Sequence, residues 1–169
     1  MNLREYIRDV EGFKEGITFF DITPLLASPK AFANAIDTMA ERFASCGATK
    51  ILAAEARGFI FGAPLAYKMG MGFIPVRKPG KLPYQTCQVT YDLEYGTDTL
   101  CMHIDAVAPG ESVLVIDDLM ATGGTMGGVL KLVEAAGGSV AGVGVLIELG
   151  FLDGRGKIGD VPYEYVIQL

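Results

Sequence analysis

The hydrophobic and polar positions of this chain alternate between short apolar runs and longer stretches of helical periodicity. Over residues 29–44, Phe32, Ile36, Met39, Ala40 and Phe43 recur at helical spacing, and Gly47 ends the run. Residues 50–55 form an apolar strand pattern that runs into Ala56-Arg57-Gly58, and a second helical pattern covers 59–68. A short strand is predicted over 72–76, and a hairpin over 89–94 and 99–103, turning at Gly96-Thr97-Asp98. The run 113–117 closes on Asp117 and Asp118, as a buried parallel strand does on leaving its sheet. Small and hydroxylated residues fill 119–125. A helix then places Val129, Leu130, Leu132 and Val133 on one face, with Lys131 and Glu134 toward water. Residues 139–149 form a long apolar strand with Glu148 near its exit, 150–156 a loop or short helix, and 163–167 a terminal strand. At the start, Leu3, Ile7 and Val10 predict an amphipathic helix over 3–10, and 16–24 an extended aromatic segment stopped by Pro24. Strands alternating with helices predict an α/β fold with a central, mostly parallel sheet and helices on both faces.

Composition narrows what such a fold can serve. A length of 169 residues fits one domain with a substantial core. The net charge of −6 argues against a general nucleic-acid or membrane binder, so an anionic ligand needs a local basic cluster or a metal. The odd cysteine count (Cys46, Cys87, Cys101) without metal spacing predicts reduced thiols and a cytoplasmic location. The first residues lack the apolar core of a signal peptide, and the run 140–152 is broken by Glu148 and too short to span a bilayer.

The candidate chemistry centres on 112–129. Strand, small-residue turn and helix together build a phosphate cradle: N–H groups at a helix start face the anion, and glycines let the backbone approach. Thr122 and Thr125 can add hydroxyl donors. Two carboxylates beside a phosphate would repel it, so Asp117 and Asp118 call for sugar hydroxyls or a magnesium ion as partners. A phosphate one sugar away from a diol is a ribose 5-phosphate. A capped helix with an acidic turn explains Thr125 but not two acids directly after an apolar strand. The second strand–turn–helix unit brings Arg57 and the N–H groups near Gly58 to the same sheet edge, where an arginine fork suits a pyrophosphate. Arg77, Lys78 and Lys81 form the strongest positive cluster in this acidic chain, just past a strand. The sole histidine, His103, alternates with apolar residues and reads as structural. Gly142-Val143-Gly144 lacks the rest of a dinucleotide fingerprint.

VLVIDDLMATGGTM resembles the signature of the type I phosphoribosyltransferases, which bind 5-phosphoribosyl-1-pyrophosphate. GITFFDITPLL, EARGFIFGAPLA, RKPGKLP, YDLEYG and IELGFL resemble the adenine-using branch of that family, occur in its order and cover nearly the whole chain. The resemblance implies a single domain over 1–169, with a small N-terminal hood (1–28) over the purine and a flexible β-hairpin flap (78–103) over the active site. It implies a purine-salvage transferase that moves the 5-phosphoribosyl group to adenine, giving AMP and pyrophosphate, in a cytoplasmic homodimer that uses Mg²⁺.

Residue by residue, the resemblance implies base binding by Thr18, Phe19, Phe20 and Leu149, with main-chain groups of Thr18 and Phe20 reading the ring edge. The phosphoribosyl group falls to Asp117, Asp118, Ala121, Thr122, Gly123, Gly124 and Thr125, and the pyrophosphate to Arg57, Gly58, Arg77, Lys78 and Lys81. Glu94 is implied to assist the proton at the purine imidazole ring, and Arg57, Asp117 and Asp118 join it as catalytic residues. Mg²⁺ is expected on the substrate, without direct protein ligands, reached through water by Asp118. One departure is Phe20, where the family often has a basic residue. The lysine that 6-oxopurine transferases carry after the last main strand is absent, the next cation being Arg155. A sensing domain that binds the same substrate without turnover, and transfer to another base, remain as alternatives.

Overall fold

The segment expected as the first helix divides between a 3₁₀ turn and the start of a strand. In this computed structural model, which describes residues 1–14, 17–93 and 96–169, Leu3–Tyr6 makes a single 3₁₀ turn. The chain then extends as β1 (Arg8–Lys14), antiparallel to β2 (Ile17–Asp21), with Val10 opposite Phe19. Two turns are too short to hold a helix in water, and Gly12 weakens one further. Pairing in a hairpin satisfies the same backbone groups. Pro24 does more than stop the aromatic strand: it lies in the first turn of a short helix, α1 (Thr23–Ala27), where its missing N–H goes unused. Asp21 accepts the Thr23 N–H at 2.9 Å and its hydroxyl at 2.8 Å. Helix α2 (Pro29–Arg42) follows, close to its predicted span. The chain divides into two compact units, Met1–Thr38 and Met39–Leu169.

The second unit is built on a five-stranded sheet of β3 (Lys50–Ala54), β4 (Gly72–Val76), β7 (Ser112–Met120), β8 (Ser139–Glu148) and β9 (Tyr163–Gln168). Its order is β4-β3-β7-β8-β9, and every neighbouring pair is parallel. Helix α3 (Arg57–Met69) connects β3 to β4, and α4 (Gly124–Ala135) connects β7 to β8. Alternation along the strands divides the core into two layers. Leu52, Val113, Val115 and Val143 pack with Val129, Leu132 and Val133 of α4. Ile51 and Ala53 face α3, where a Cβ at Gly62 would fall 2.7 Å from that of Ala53. On this second face Gly142 and Gly144 leave room for the Phe43 ring, which a Cβ at Gly144 would meet at 2.6 Å. Those glycines therefore serve packing. Among the described residues, no helix is long and apolar enough to cross a membrane.

Two boundaries differ from expectation near the site. β7 continues past Asp117 to Met120, because Leu119 and Met120 stay on the ladder opposite Ile147 and Glu148. The hairpin joins β5 (Thr86–Asp92) to β6 (Thr97–His103), with Asp92 opposite Thr97. Thr97 and Asp98 thus belong to a strand, not to the turn. The hairpin packs against α4 through Tyr91, Leu100 and Met102.

The approach to β7 is tied down by Glu111. Its carboxylate accepts the Ala108 N–H at 2.9 Å, the Thr49 hydroxyl at 2.7 Å and the Lys50 ammonium at 2.9 Å. These donors, the Ala108 N–H foremost, hold its pKa down at about 2, against an ordinary 4.5. A depressed carboxyl contributes stability above its unfolded value and loses it as the pH falls through its folded one. Glu111→Gln should therefore destabilise the protein by about 1–2 kcal/mol at pH 7. In urea melts the gap to the parent should narrow as the pH falls from 4.5 toward about 2; a gap independent of pH would contradict this account.

Candidate active site

Two strand ends lie side by side at the carboxyl edge of the sheet, and each leads into a helix start. β3 passes through Glu55 and Ala56 into α3, so Arg57 and Gly58 form that helix's first turn. Next to it, β7 presents Asp117 and Asp118. The Asp117 carboxylate lies so close to α3 that a Cβ at Gly58 would come within 2.9 Å of its Oδ1. Only glycine fits there, and the closeness sets the acid against the positive end of the helix. The same oxygen accepts the Asp118 N–H at 2.8 Å.

Asp118 is 4 % exposed, and Arg57 Nε stands 2.9 Å from its Oδ2. That oxygen has charge nearby but no aligned hydrogen-bond donor among the described residues. Burial raises the pKa of both acids. In Asp117, deep at the sheet edge despite a side open to the pocket, burial and then the neighbouring Asp118 charge hold it well above the usual carboxylate range. In Asp118 burial also dominates, opposed mainly by Arg57. Donors arriving with a ligand would favour the charged forms of both.

The cradle opens after Met120. Gly123 takes φ +79°, and Gly124 begins α4, whose first turn carries no acidic side chain. The N–H groups of that turn have no partner within the helix until Gly127 donates to Gly123 at 2.9 Å. The loop is supported from behind by a second glycine. A Cβ at Gly123 would sit 2.3 Å from the Gly154 carbonyl, and one at Gly154 would sit 2.2 Å from the Ala121 carbonyl. Together these groups surround a pocket of about 300 Å³, the lower end for a small-molecule site. Its walls are residues 54–57, 93 and 117–126.

The structure therefore brings Arg57, Asp117, Asp118, Ala121, Thr122, Gly123, Gly124 and Thr125 to one pocket, with Gly58 directly behind Asp117. Arg77, Lys78 and Lys81 are not in its walls. They are tethered to it by Glu55, whose carboxylate accepts Arg77 Nε at 2.9 Å and the Lys78 N–H at 2.8 Å. Arg77 also donates to the Lys81 carbonyl at 3.1 Å. The Lys78 N–H, ahead of Arg77, holds the Glu55 carboxyl below its usual range. Glu55 had no role in the sequence reading. Its signal was there: an acid at a strand exit, placed as Asp117 is on β7.

Leu149 lies outside the pocket walls, buried just past β8, where its N–H donates to the Met120 carbonyl at 2.9 Å. Thr18, Phe19 and Phe20 are on β2 of the first unit, with the Phe19 ring tilted against that of Phe13 at 5.0 Å. Glu94 lies outside the described residues. His103 accepts the Tyr84 N–H at 3.4 Å. Among the described residues, no group of three His, Cys, Asp or Glu side chains could hold a metal alone.

Comparison with known proteins agrees with this geometry. The phosphoribosyl transferase domain family matches residues 21–166. An adenine phosphoribosyltransferase of Maridesulfovibrio salexigens is 64 % identical over the full length of both chains. The crystal structure of an adenine phosphoribosyltransferase from Thermoanaerobacter pseudethanolicus superposes with a TM-score of 0.96, at 49 % identity, covering 99 % of this chain and 98 % of that one. The enzyme from Giardia lamblia, solved with 9-deazaadenine, superposes at 0.93 with 33 % identity, covering 99 % and 96 %.

The raised acids of β7 give a test. A carboxyl whose folded pKa is raised above its ordinary 3.8 contributes stability below that value and loses it as the pH rises through the folded one. At neutral pH, where Asp117 of the unfolded chain is ionised, placing that carboxyl in the fold therefore costs stability. Asp117→Asn should raise the melting temperature by a few degrees at pH 7, at about 2–4 °C per kcal/mol for a chain of this size. The gain should shrink toward pH 4. A melting temperature at or below the parent's at pH 7 would refute this strain.

Proposed function

The chain belongs to the adenine phosphoribosyltransferases of the phosphoribosyl transferase family, and on that premise we propose that the pocket beside β3 and β7 performs the family's reaction. The protein joins adenine to 5-phosphoribosyl-1-pyrophosphate and releases AMP and pyrophosphate, a purine-salvage step. The observation that carries the site is Asp118 Oδ2: a buried carboxylate oxygen without an aligned donor, a few residues from the open N-terminus of α4. Ribose hydroxyls supply the donors, and the 5-phosphate lies one sugar away in the 121–125 cradle.

The roles follow from where charge moves. As the anomeric bond breaks, negative charge grows on the pyrophosphate, toward which Arg57 and the Arg77, Lys78 and Lys81 loop direct positive charge. Positive charge grows on the ribose, next to Asp117 and Asp118. The N–H groups from Gly123 to Thr125 bind the 5-phosphate equally before and after reaction, so they orient the sugar. The base enters opposite the leaving group. On the family pattern we assign the base to Thr18, Phe19 and Phe20 and to Leu149, and the ring proton to Glu94.

Mg²⁺ fits the buried carboxylate of Asp118, which would hold it through water. When bound it supplies positive charge to the leaving group. We assign the protein to the cytoplasm as a homodimer on the same family pattern.

The first test is AMP formation by purified protein with the phosphoribosyl donor, Mg²⁺ and a panel of adenine, hypoxanthine, guanine, xanthine and uracil. Turnover with adenine alone is expected, abolished by EDTA. Turnover with another base would overturn the base-binding assignment, and binding without turnover would favour a sensing role. Arg57→Ala should lower kcat/KM by about 10²–10³-fold while keeping a folded circular dichroism spectrum, with a lowered melt because Asp118 loses its partner. Near-parental activity would remove Arg57 from the pyrophosphate site.

A further inference from the structure

Three cations assigned to the pyrophosphate each already hold a carboxylate in the ligand-free protein. Arg57 pairs with Asp118, Arg77 with Glu55 and Lys78 with Asp98. Asp118 and Glu55 line the pocket, whereas Asp98 does not. It projects from β6 and had no role in the sequence reading.

Asp98 is held in place independently of Lys78. Its Oδ1 accepts the Thr99 N–H at 2.8 Å, and its Oδ2 accepts the Tyr91 hydroxyl at 3.3 Å from the position directly across the hairpin. Tyr91 is itself fixed. Its ring is 5 % exposed and lies so close to α4 that a Cβ at Gly128 would come within 2.6 Å of it. Its hydroxyl also meets the side chain of Thr125 in the phosphate cradle. Lys78 is differently placed. Its backbone N–H is anchored on Glu55, but its side chain is 42 % exposed on a flexible stem. The ammonium can therefore change partner while the backbone stays. Asp98, left behind, keeps two donors and is not stranded without partners.

We propose that Asp98 is a positioning residue for pyrophosphate exchange: it holds the Lys78 ammonium while the site is empty and yields it to the diphosphate when substrate binds. The inference rests on the assignment of Lys78 to the pyrophosphate. It has a consequence opposite in sign to that of a merely structural residue. A carboxylate that competes for the ammonium weakens diphosphate binding and speeds pyrophosphate release, so removing its charge tightens binding. Loss of a structural contact would loosen the site or leave it unchanged.

The experiment is calorimetric titration of the full-length protein with magnesium pyrophosphate, comparing the parent with Asp98→Asn, Lys78→Met and the double variant. Asp98→Ser serves as a second charge-removing variant if Asp98→Asn does not fold. Removing the Asp98 charge should lower Kd about three- to fivefold, the scale of a half-exposed ion pair. Lys78→Met should raise Kd, and the double variant should bind no more tightly than Lys78→Met alone. Unchanged or weaker binding without the Asp98 charge, with Lys78→Met still impaired, would overturn the proposal and leave Lys78 in the pyrophosphate site. Parental binding by Lys78→Met would instead remove Lys78 from that site, and the proposal with it.

Discussion

The second unit depends on holding two adjacent carboxylates at the end of a buried strand. Asp117 and Asp118 repel each other and are largely out of water, so each requires a specific neighbour. For Asp117 the neighbours are the Asp118 N–H and the start of α3, reached because position 58 has no side chain. For Asp118 it is Arg57. These demands explain why β3 and β7 are adjacent and why α3 begins where it does. The arrangement leaves one buried oxygen without an aligned donor. Stability alone gives no reason to keep such an atom, but a ligand that brings hydroxyl groups does.

Around this pair the charged side chains are largely paired locally, with the cationic loop tied to the pocket wall through Glu55. Burial raises the acids at the centre, whereas hydrogen bonds and charge lower Glu55 and Asp98 at the edge. Binding a polyanion is thus an exchange of partners within a fixed frame. That suits a reaction whose substrate and leaving group carry the same diphosphate: holding it loosely enough to release it matters as much as binding it.

The central sheet was legible in the sequence because buried parallel strands read as continuous apolar runs, each ended by a polar exit such as Asp117 or Glu148. The cradle was legible because Gly-Gly-Thr between strand and helix has few other uses. Less was visible where pairing decides the outcome. Leu3, Ile7 and Val10 have helical spacing, yet the segment makes a single 3₁₀ turn and the hairpin with β2 takes its end. β7 outruns its apolar stretch because the β8 ladder continues. Gly142 and Gly144 carry no local sign that they receive the Phe43 ring. The link from Thr125 through Tyr91 and Asp98 to Lys78 depends on hairpin register, which placing the turn at 96–98 had shifted.

The glycine contact behind the cradle also bears on how the protein is made. Gly123 and Gly154 meet backbone to backbone, so the phosphate loop takes its final shape only when the segment after β8 is in place. The Val143 N–H donates to the Pro162 carbonyl at 2.8 Å, and β9 then closes the sheet edge. A chain still emerging from the ribosome can pair β3, β4 and β7 and present both acids, but its phosphate loop has nothing to rest against. Competence to grip a phosphate therefore arrives only once the segment after β8 has been made, and loss of that segment would be felt first in the phosphate loop.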